Sequence, residues 1–484
     1  MKAVKRAENQ SEKKKQQLVT NSTKKSSFSK DLCFALLSAN IPLNKVSNQS
    51  FRTFLETYTG NNVPTETNLR LGYIDDIFDE TMSKIKLELS GKKVWVSIDE
   101  TTDVEGRFVA NIIVGILEAD YPGKQYLVHS EQLEKTNYST ICRVFDKSIG
   151  IIGIQHEDVL LFTSDAAPYM IKAGNTLKAF YSKMIHITCT AHGLHRVAEE
   201  VRGKFSNVDK LISSVKKIFR KAPNRVQLFK DEAPHLNLPP EPIITRWSTW
   251  IIASNYYCEN IEIIRKILEK LDADDAVSIK EAKKYISKAG IERDLAYIKS
   301  NFTILTVSIT KLQKQGLPLA EAINVFENVE KVFETLQGPI GKAVFNKLNN
   351  VTHKNVGLKI LKNISNILSG VTMNTELEPG LPEDFSTDDL VYFKFAPITS
   401  VDIERSFSMY RTLLSNNRRS FHFENLYKHL IIQCNFQVDL LLIYGECQRN
   451  KRLTALTYAE RYPERYHPPS NYVLQLLQGL NQEG

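Results

Sequence analysis

The hydrophobic period of this chain changes near residue 92, and that change restricts the possible folds more than any other feature. Before it, apolar residues recur at helical spacing; after it come short β-branched runs. KKVWVSIDE, RFVANIIVGIL and QYLVHSEQL read as three strands, with Gly123–Lys124 in the second turn. A helix over 138–150 follows, then DVLLFTSD, almost wholly apolar and so expected to be a central strand buried on both faces. A helix over about 168–182 and a strand in MIHITCTAH complete the run. The order βββαβαβ is an α/β core in which the first three strands can meander antiparallel.

Residues 28–91 read as helical. FSKDLCFALLSANI is stopped by Pro42, QSFRTFLETY ends at Gly60, and LRLGYIDDIFDETMSKIKLELSG reads as one helix ending at Gly91. From about 195 to 385 the periodicity is again almost only helical, as in KFSNVDKLISSVKKIF and VGLKILKNISNIL. The predicted organisation is a basic tail (1–27), a helical N-terminal region (28–91), an α/β core (92–250), an all-helical insertion (251–395), a helical segment that completes the core (396–447) and a C-terminal tail (448–484).

Composition narrows the function classes. The net charge of +8 is concentrated in residues 1–30, with nine Lys/Arg against two Asp/Glu. Such a tail can neutralise phosphates or be read by nuclear import, and it can equally be a solvated terminus. No run of about 18 uncharged apolar residues suggests a membrane span. The six cysteines form no CxxC pair and no evident disulfide framework, which fits a reducing compartment.

Two aspartates stand where α/β sheets place ligands, at the C-terminal ends of strands: Asp99 in VSIDETTD and Asp165 in LLFTSDAAPYM. Carboxylates converging on one point suit metal-assisted phosphoryl transfer. The alternative is a turn or cap, since Asp165-Ala-Ala-Pro can cap the next helix. Cys189-x-x-His192, with His195 one turn on, invites a zinc reading, but a second Cys/His pair is missing and no structural zinc is expected. A buried, hydrogen-bonded histidine is an equal reading of His192.

Five segments in order resemble motifs of the hAT (hobo, Activator, Tam) superfamily of transposases. VSIDETTD is similar to the first-aspartate motif, with Asp99 and Thr102, and FTSDAAPYM to the second, with Asp165. CTAHGLH is similar to its Cys-x-x-His element, ITRWSTW to its Arg-Trp motif (Arg246, Trp247), and SVDIERSFS to the segment that supplies the catalytic glutamate, Glu404, beside Arg405 and Ser408. The resemblance covers residues 94 to about 435 and implies a ribonuclease-H-like core, whose strand order the predicted elements match. It implies that Asp99, Asp165 and Glu404 hold two Mg²⁺ or Mn²⁺ ions and cleave and transfer DNA strands. Arg246, Trp247 and His192 would contact DNA, and Cys189, Thr102 and Arg405 would support the site. ERSFSMYRTLLSNNRRSFHFENLYKHLIIQCN resembles the family's dimerisation region, and the expected location is the nucleus.

Residues 32–73 further resemble the stretch that follows the BED zinc finger in hAT relatives and in the CGG triplet-repeat-binding protein. Residues 1–30 hold neither Cys nor His, so no such finger is expected there. That departure leaves a second reading open: a catalytically inactive nuclear factor that binds DNA or protein partners and regulates transcription.

Overall fold

The computed structural model describes residues 26–243, 248–370, 381–382, 384–414, 421–446 (side chains to 436) and 455–457. It is an α/β protein with one five-stranded sheet, comprising β1 (Val94–Thr102), β2 (Phe108–Ile116), β3 (Gln125–Leu133), β4 (Val159–Ser164) and β5 (Ile185–Thr188). The strand order is β3-β2-β1-β4-β5. β1, β2 and β3 meander antiparallel, while β4 and β5 run parallel to β1. Every residue of β4 is buried, as its unbroken apolar run requires.

Four helices precede the sheet: α1 (Ser27–Ser38), α2 (Gln49–Thr59), α3 (Glu66–Gly72) and α4 (Ile74–Leu89). Side chains cap three of them, with Ser26, Asn48 and Thr65 accepting from the first-turn amides. The segment expected as one helix over LRLGYIDDIF is two, because Tyr73, at φ −131°, breaks the spiral immediately after Gly72. Two helices lie between later strands, α5 (Tyr138–Ile152) and α6 (Pro168–Leu177). The last strand is shorter than MIHITCTAH suggests. It ends at Thr188, and helix α7 (Thr190–Lys204) begins almost at once.

The described helices that follow are α8 (Ser206–Phe219), α9 (Pro223–Glu232), α10 (Thr249–Glu269), α11 (Val277–Ile286), α12 (Ile291–Leu312), α13 (Leu319–Glu334), α14 (Gly338–Lys354) and α15 (Val356–Leu368). α10 extends well ahead of the expected NIEIIRKILEKL and bends at Asn260, whose φ and ψ of −123° and 18° are not helical. After α16 (Thr387–Leu390) the chain returns to the sheet as α17 (Val401–Leu413) and α18 (Phe423–Glu446). α17 lies on β1 and β2, and α18 on β3 and α4.

An asparagine closes each outer edge of the sheet. Leu127 N donates to Asn435 Oδ1 at 3.1 Å, and Asn435 Nδ2 donates back to Leu127 O at 3.0 Å. On the far edge, Thr188 N donates to Asn355 Oδ1 at 3.2 Å and Asn355 Nδ2 to Thr188 O at 2.7 Å. Each amide side chain makes the paired bonds of a neighbouring strand, so neither edge offers these groups for further pairing. The segment expected to dimerise therefore spends apolar surface inside its own chain: Leu426, Leu430, Ile431 and Ile432 are buried there.

Candidate active site

Strand alternation puts Trp95, Ser97 and Asp99 on the face of β1 that α17 covers, with Asn111 directly opposite Asp99 on β2. Asn111 Nδ2 donates to Ser406 Oγ on α17 at 2.8 Å, joining residues 295 positions apart. Cys189 makes the second link, where Ser400 N, at the start of α17, donates to its Sγ at 3.2 Å. A third comes from the Thr190 amide and hydroxyl, which both donate to Ile398 O, at 3.0 and 2.9 Å. These contacts fix the first turn of α17, the turn that carries Glu404. A helix N-terminus favours the carboxylate it holds.

Asp99, His192 and Glu404 converge, each offering a ligand atom within 4.8 Å of the others. His192 Nε2 lies 3.5 Å from Glu404 Oε1. Asp165 follows the last residue of β4, and one of its oxygens accepts from Ala167 N at 3.0 Å, the turn-forming role open to it from sequence. Its charge nonetheless reaches Asp99, Glu100 and Glu404.

The electrostatics are those of crowded carboxylates. Burial, reinforced by the charges of Glu404 and Asp165, pushes Asp99 well above the usual carboxylate range. Burial and Asp165 also raise Glu404, against the cationic His192 and Arg411. Glu100 is pushed up to about 7 by burial and by Asp165. Burial opposes a charged His192, yet Cys189, Asp99 and Glu404 lift it to about 9. Cys189 moves down despite its burial, through His192 and the Ser400 amide.

A divalent cation suits this arrangement. The carboxylates supply hard oxygen donors, and a cation offsets the burial and the neighbouring negative charge that raise Asp99 and Glu404. Among the described residues the buried Asn111 Oδ1, on the residue paired with Asp99, has no hydrogen-bond partner, leaving acceptor capacity beside Asp99.

Not every residue singled out in the sequence joins this cluster. Thr102 is exposed, on the strand face opposite Asp99. Arg405 turns to Asp402 at 2.5 Å and Gln313 O at 2.8 Å, tying α17 to the end of α12. Arg246 and Trp247 lie outside the described residues, as does the Arg418–Arg419 step. Sequence reasoning passed over Glu100, Asn111, Ser406 and Arg411. A lone asparagine inside FVANIIVGI was the available signal for Asn111, because a polar side chain in a buried strand needs a partner.

Residues 64–218 match a family described only as a domain of unknown function, DUF659. That span contains all five strands with Asp99, Asp165, Cys189 and His192, and stops short of Glu404. Residues 436–484 match a helix-turn-helix domain family, DUF4817, a type that suggests DNA binding. No curated protein matches the chain. Among the described residues, no helix is long and apolar enough to cross a membrane. Together the two family matches support a transposase-like protein.

Proposed function

We propose that this chain is a hAT-type DNA transposase, or a domesticated derivative of one, built on a ribonuclease-H-like core and acting in the nucleus. The observation that carries the reading is the convergence of Asp99 and Glu404, far apart in sequence, within 4.8 Å and beside His192. The strand order β3-β2-β1-β4-β5, with the first three strands antiparallel, supports the core, and the DUF659 match points the same way. The Lys-rich segment 1–27 supports nuclear import, and the helix-turn-helix match supports DNA as the partner.

In this reading Asp99, Asp165 and Glu404 hold Mg²⁺ or Mn²⁺. Such ions supply an activated water or 3′-hydroxyl and stabilise the departing oxygen during strand cleavage and transfer. The protein's own groups position and neutralise. His192 carries a proton between Asp99 and Glu404 and can approach a scissile phosphate. Cys189 and Asn111 keep the Glu404 turn on the sheet. Glu100 can hold a proton near neutral pH beside Asp165. Self-association through the C-terminal helices belongs to the same proposal.

The test is supercoiled plasmid with Mn²⁺ and the purified chain. Nicking or strand joining is expected from wild type and is expected to be lost in Asp165→Ala and Glu404→Gln. Equal activity in all three refutes the assignment. The second reading, an inactive DNA-binding nuclear regulator, rests on the helix-turn-helix match; it is favoured if a folded wild type binds DNA and cuts none.

A further inference from the structure

A second cavity, of about 230 Å³, opens beside α7 away from the acidic cluster, lined by His195 and Arg202 of α7, Lys216, Lys217 and Arg220 of or next to α8, and Trp250 of α10. Its charges are not all spent internally. Arg202 is held by Asp209 at 2.7 Å and by Glu199 at 3.6 Å, and Lys216 is held by Glu241 at 3.0 Å. Among the described residues, Lys217 and Arg220 have no acidic partner, and both are exposed at the cavity. The site therefore has paired cations deeper in and two uncompensated ones at its surface, over the buried Trp250.

The cavity is also aligned with the candidate active site. His192, His195, Glu199 and Arg202 follow one face of α7 at spacings of three and four residues. At 1.5 Å per residue, His192 beside Glu404 and Arg202 in the cavity are about 15 Å apart along the helix. Ser248, one of the non-glycine residues at positive φ (54°), is buried where α10 begins, and its amide donates to His195 Nδ1 at 3.4 Å. That bond leaves the His195 proton on Nε2, as a donor, and burial keeps the ring neutral by lowering its pKa.

We infer that this cavity is a backbone-phosphate subsite for the DNA strand that leaves the acidic cluster along α7, with Lys217 and Arg220 as its principal anion contacts. The inference rests on the DNA reading above and extends it, since the cluster acts at one phosphate and this subsite fixes the direction of the strand a few nucleotides away. Cations that neutralise phosphates release counterions, so their contribution is read in the salt dependence of binding.

The experiment uses the full chain and a fluorescent single-stranded oligonucleotide, followed by anisotropy over a range of salt. A photoreactive base in the same strand maps the contact by mass spectrometry. The variant is Lys217→Glu with Arg220→Glu, both exposed and so compatible with the wild-type fold. The control is Lys210→Glu, on the same helix outside the cavity. We expect the double variant to bind about tenfold more weakly, with a salt slope shallower by about 1–2. It should also lose the crosslink to the peptide around Lys217, with the control unchanged. Wild-type binding with an unaltered slope and crosslink in the double variant overturns the subsite alone. Absence of DNA binding by the wild type overturns the DNA reading and the subsite with it.

Discussion

Gly357→Ala should damage both the fold and the candidate site, by an amount set by what stands over the glycine. A Cβ at Gly357 would lie 2.1 Å from the carbonyl oxygen of His186 and 2.7 Å from Ile187 Cα. The obstacle is the backbone of β5, which cannot rotate aside. Nor can β5 retreat: the His186 ring stacks on Phe162 with centroids 4.8 Å apart, is bonded to Ser164 Oγ at 2.9 Å, and faces Gly174 closely enough that a Cβ there would be 2.2 Å away. α15 must therefore lift, and the two Asn355–Thr188 bonds stretch with it. Overpacking costs about 1–3 kcal/mol and two buried hydrogen bonds about 1 kcal/mol each, giving roughly 3–5 kcal/mol. Two other glycines calibrate the argument. At Gly193 the obstacle is Val351 Cγ1 at 2.7 Å, the end of a side chain, so the gain in helix propensity roughly offsets the strain and the net change should stay within about 1 kcal/mol. Gly203 is exposed in α7 with nothing within 4 Å, so Ala there should stabilise by about 0.5–1 kcal/mol. Urea midpoints followed by circular dichroism rank the three. Because Thr188 leads directly into Cys189, amide exchange at the start of α7 should quicken in Gly357→Ala alone. If Gly357→Ala unfolds at the wild-type midpoint, or is no worse than Gly193→Ala, the backbone-clash reasoning is wrong.

Three further outcomes follow from the same contacts. Saturating Mn²⁺, at about a hundredfold over its Kd, should stabilise wild type by about 2.7 kcal/mol in a thermal shift and leave Asp99→Asn unmoved; without metal the variant should be no less stable than wild type, because it removes a crowded buried carboxylate. Burial lowers His186 to about 4, so the unfolded chain binds a proton there before the folded one does, and stability is lost as pH falls from about 6.5 towards 4. His186→Gln should shrink the drop in urea midpoint between about pH 7 and 4.5 by the equivalent of roughly 2–3 kcal/mol, and an unchanged drop would assign it to other groups. Asn435→Leu strips the partners from Leu127 N–H and C=O at the β3 edge, which should cost about 2–4 kcal/mol in urea unfolding and expose the Leu127 amide to exchange.

The sheet was the most readable part of the sequence, for a physical reason. A strand buried on both faces has to be apolar throughout, so DVLLFTSD declared β4, and the meander of β1 to β3 followed from short turns between β-branched runs. Asp99 and Asp165 were visible because strand ends are countable. Glu404 was not visible on spacing. Its placement depends on how the helices between β5 and α17 return, and only motif resemblance singled it out. Glu100 was passed over because it follows Asp99 directly and adjacent strand residues point to opposite faces; the charge of Asp165 reaches both. The edge-closing Asn355 and Asn435 look like ordinary helix residues until the strand beside each is known. Helix breaks were misjudged where one residue decides the local geometry, at Tyr73 after Gly72 and at Asn260 within α10.

What makes the candidate site possible is less the carboxylates than the polar bonds that return α17 to the sheet. A long helical excursion separates β5 from α17, and apolar packing alone sets a helix on a sheet without fixing its rotation. Buried hydrogen bonds do fix it, because a rotated or slipped α17 would leave Asn111 Nδ2 and the Ser400 amide without acceptors, a cost of about 1–3 kcal/mol for each group. Ser406 and Ser400 flank Glu404 on either side in sequence, so the two bonds clamp the turn that carries it. Burial and neighbouring negative charge, which raise Asp99 and Glu404, oppose this closure, and the clamp holds the acids together against them. Ser406→Ala should therefore leave the sheet intact while allowing Glu404 to withdraw from Asp99. Its signature would be weaker metal stabilisation with little change in the urea midpoint measured without metal. Equal loss in both would mean that Ser406 serves the fold and not the position of Glu404.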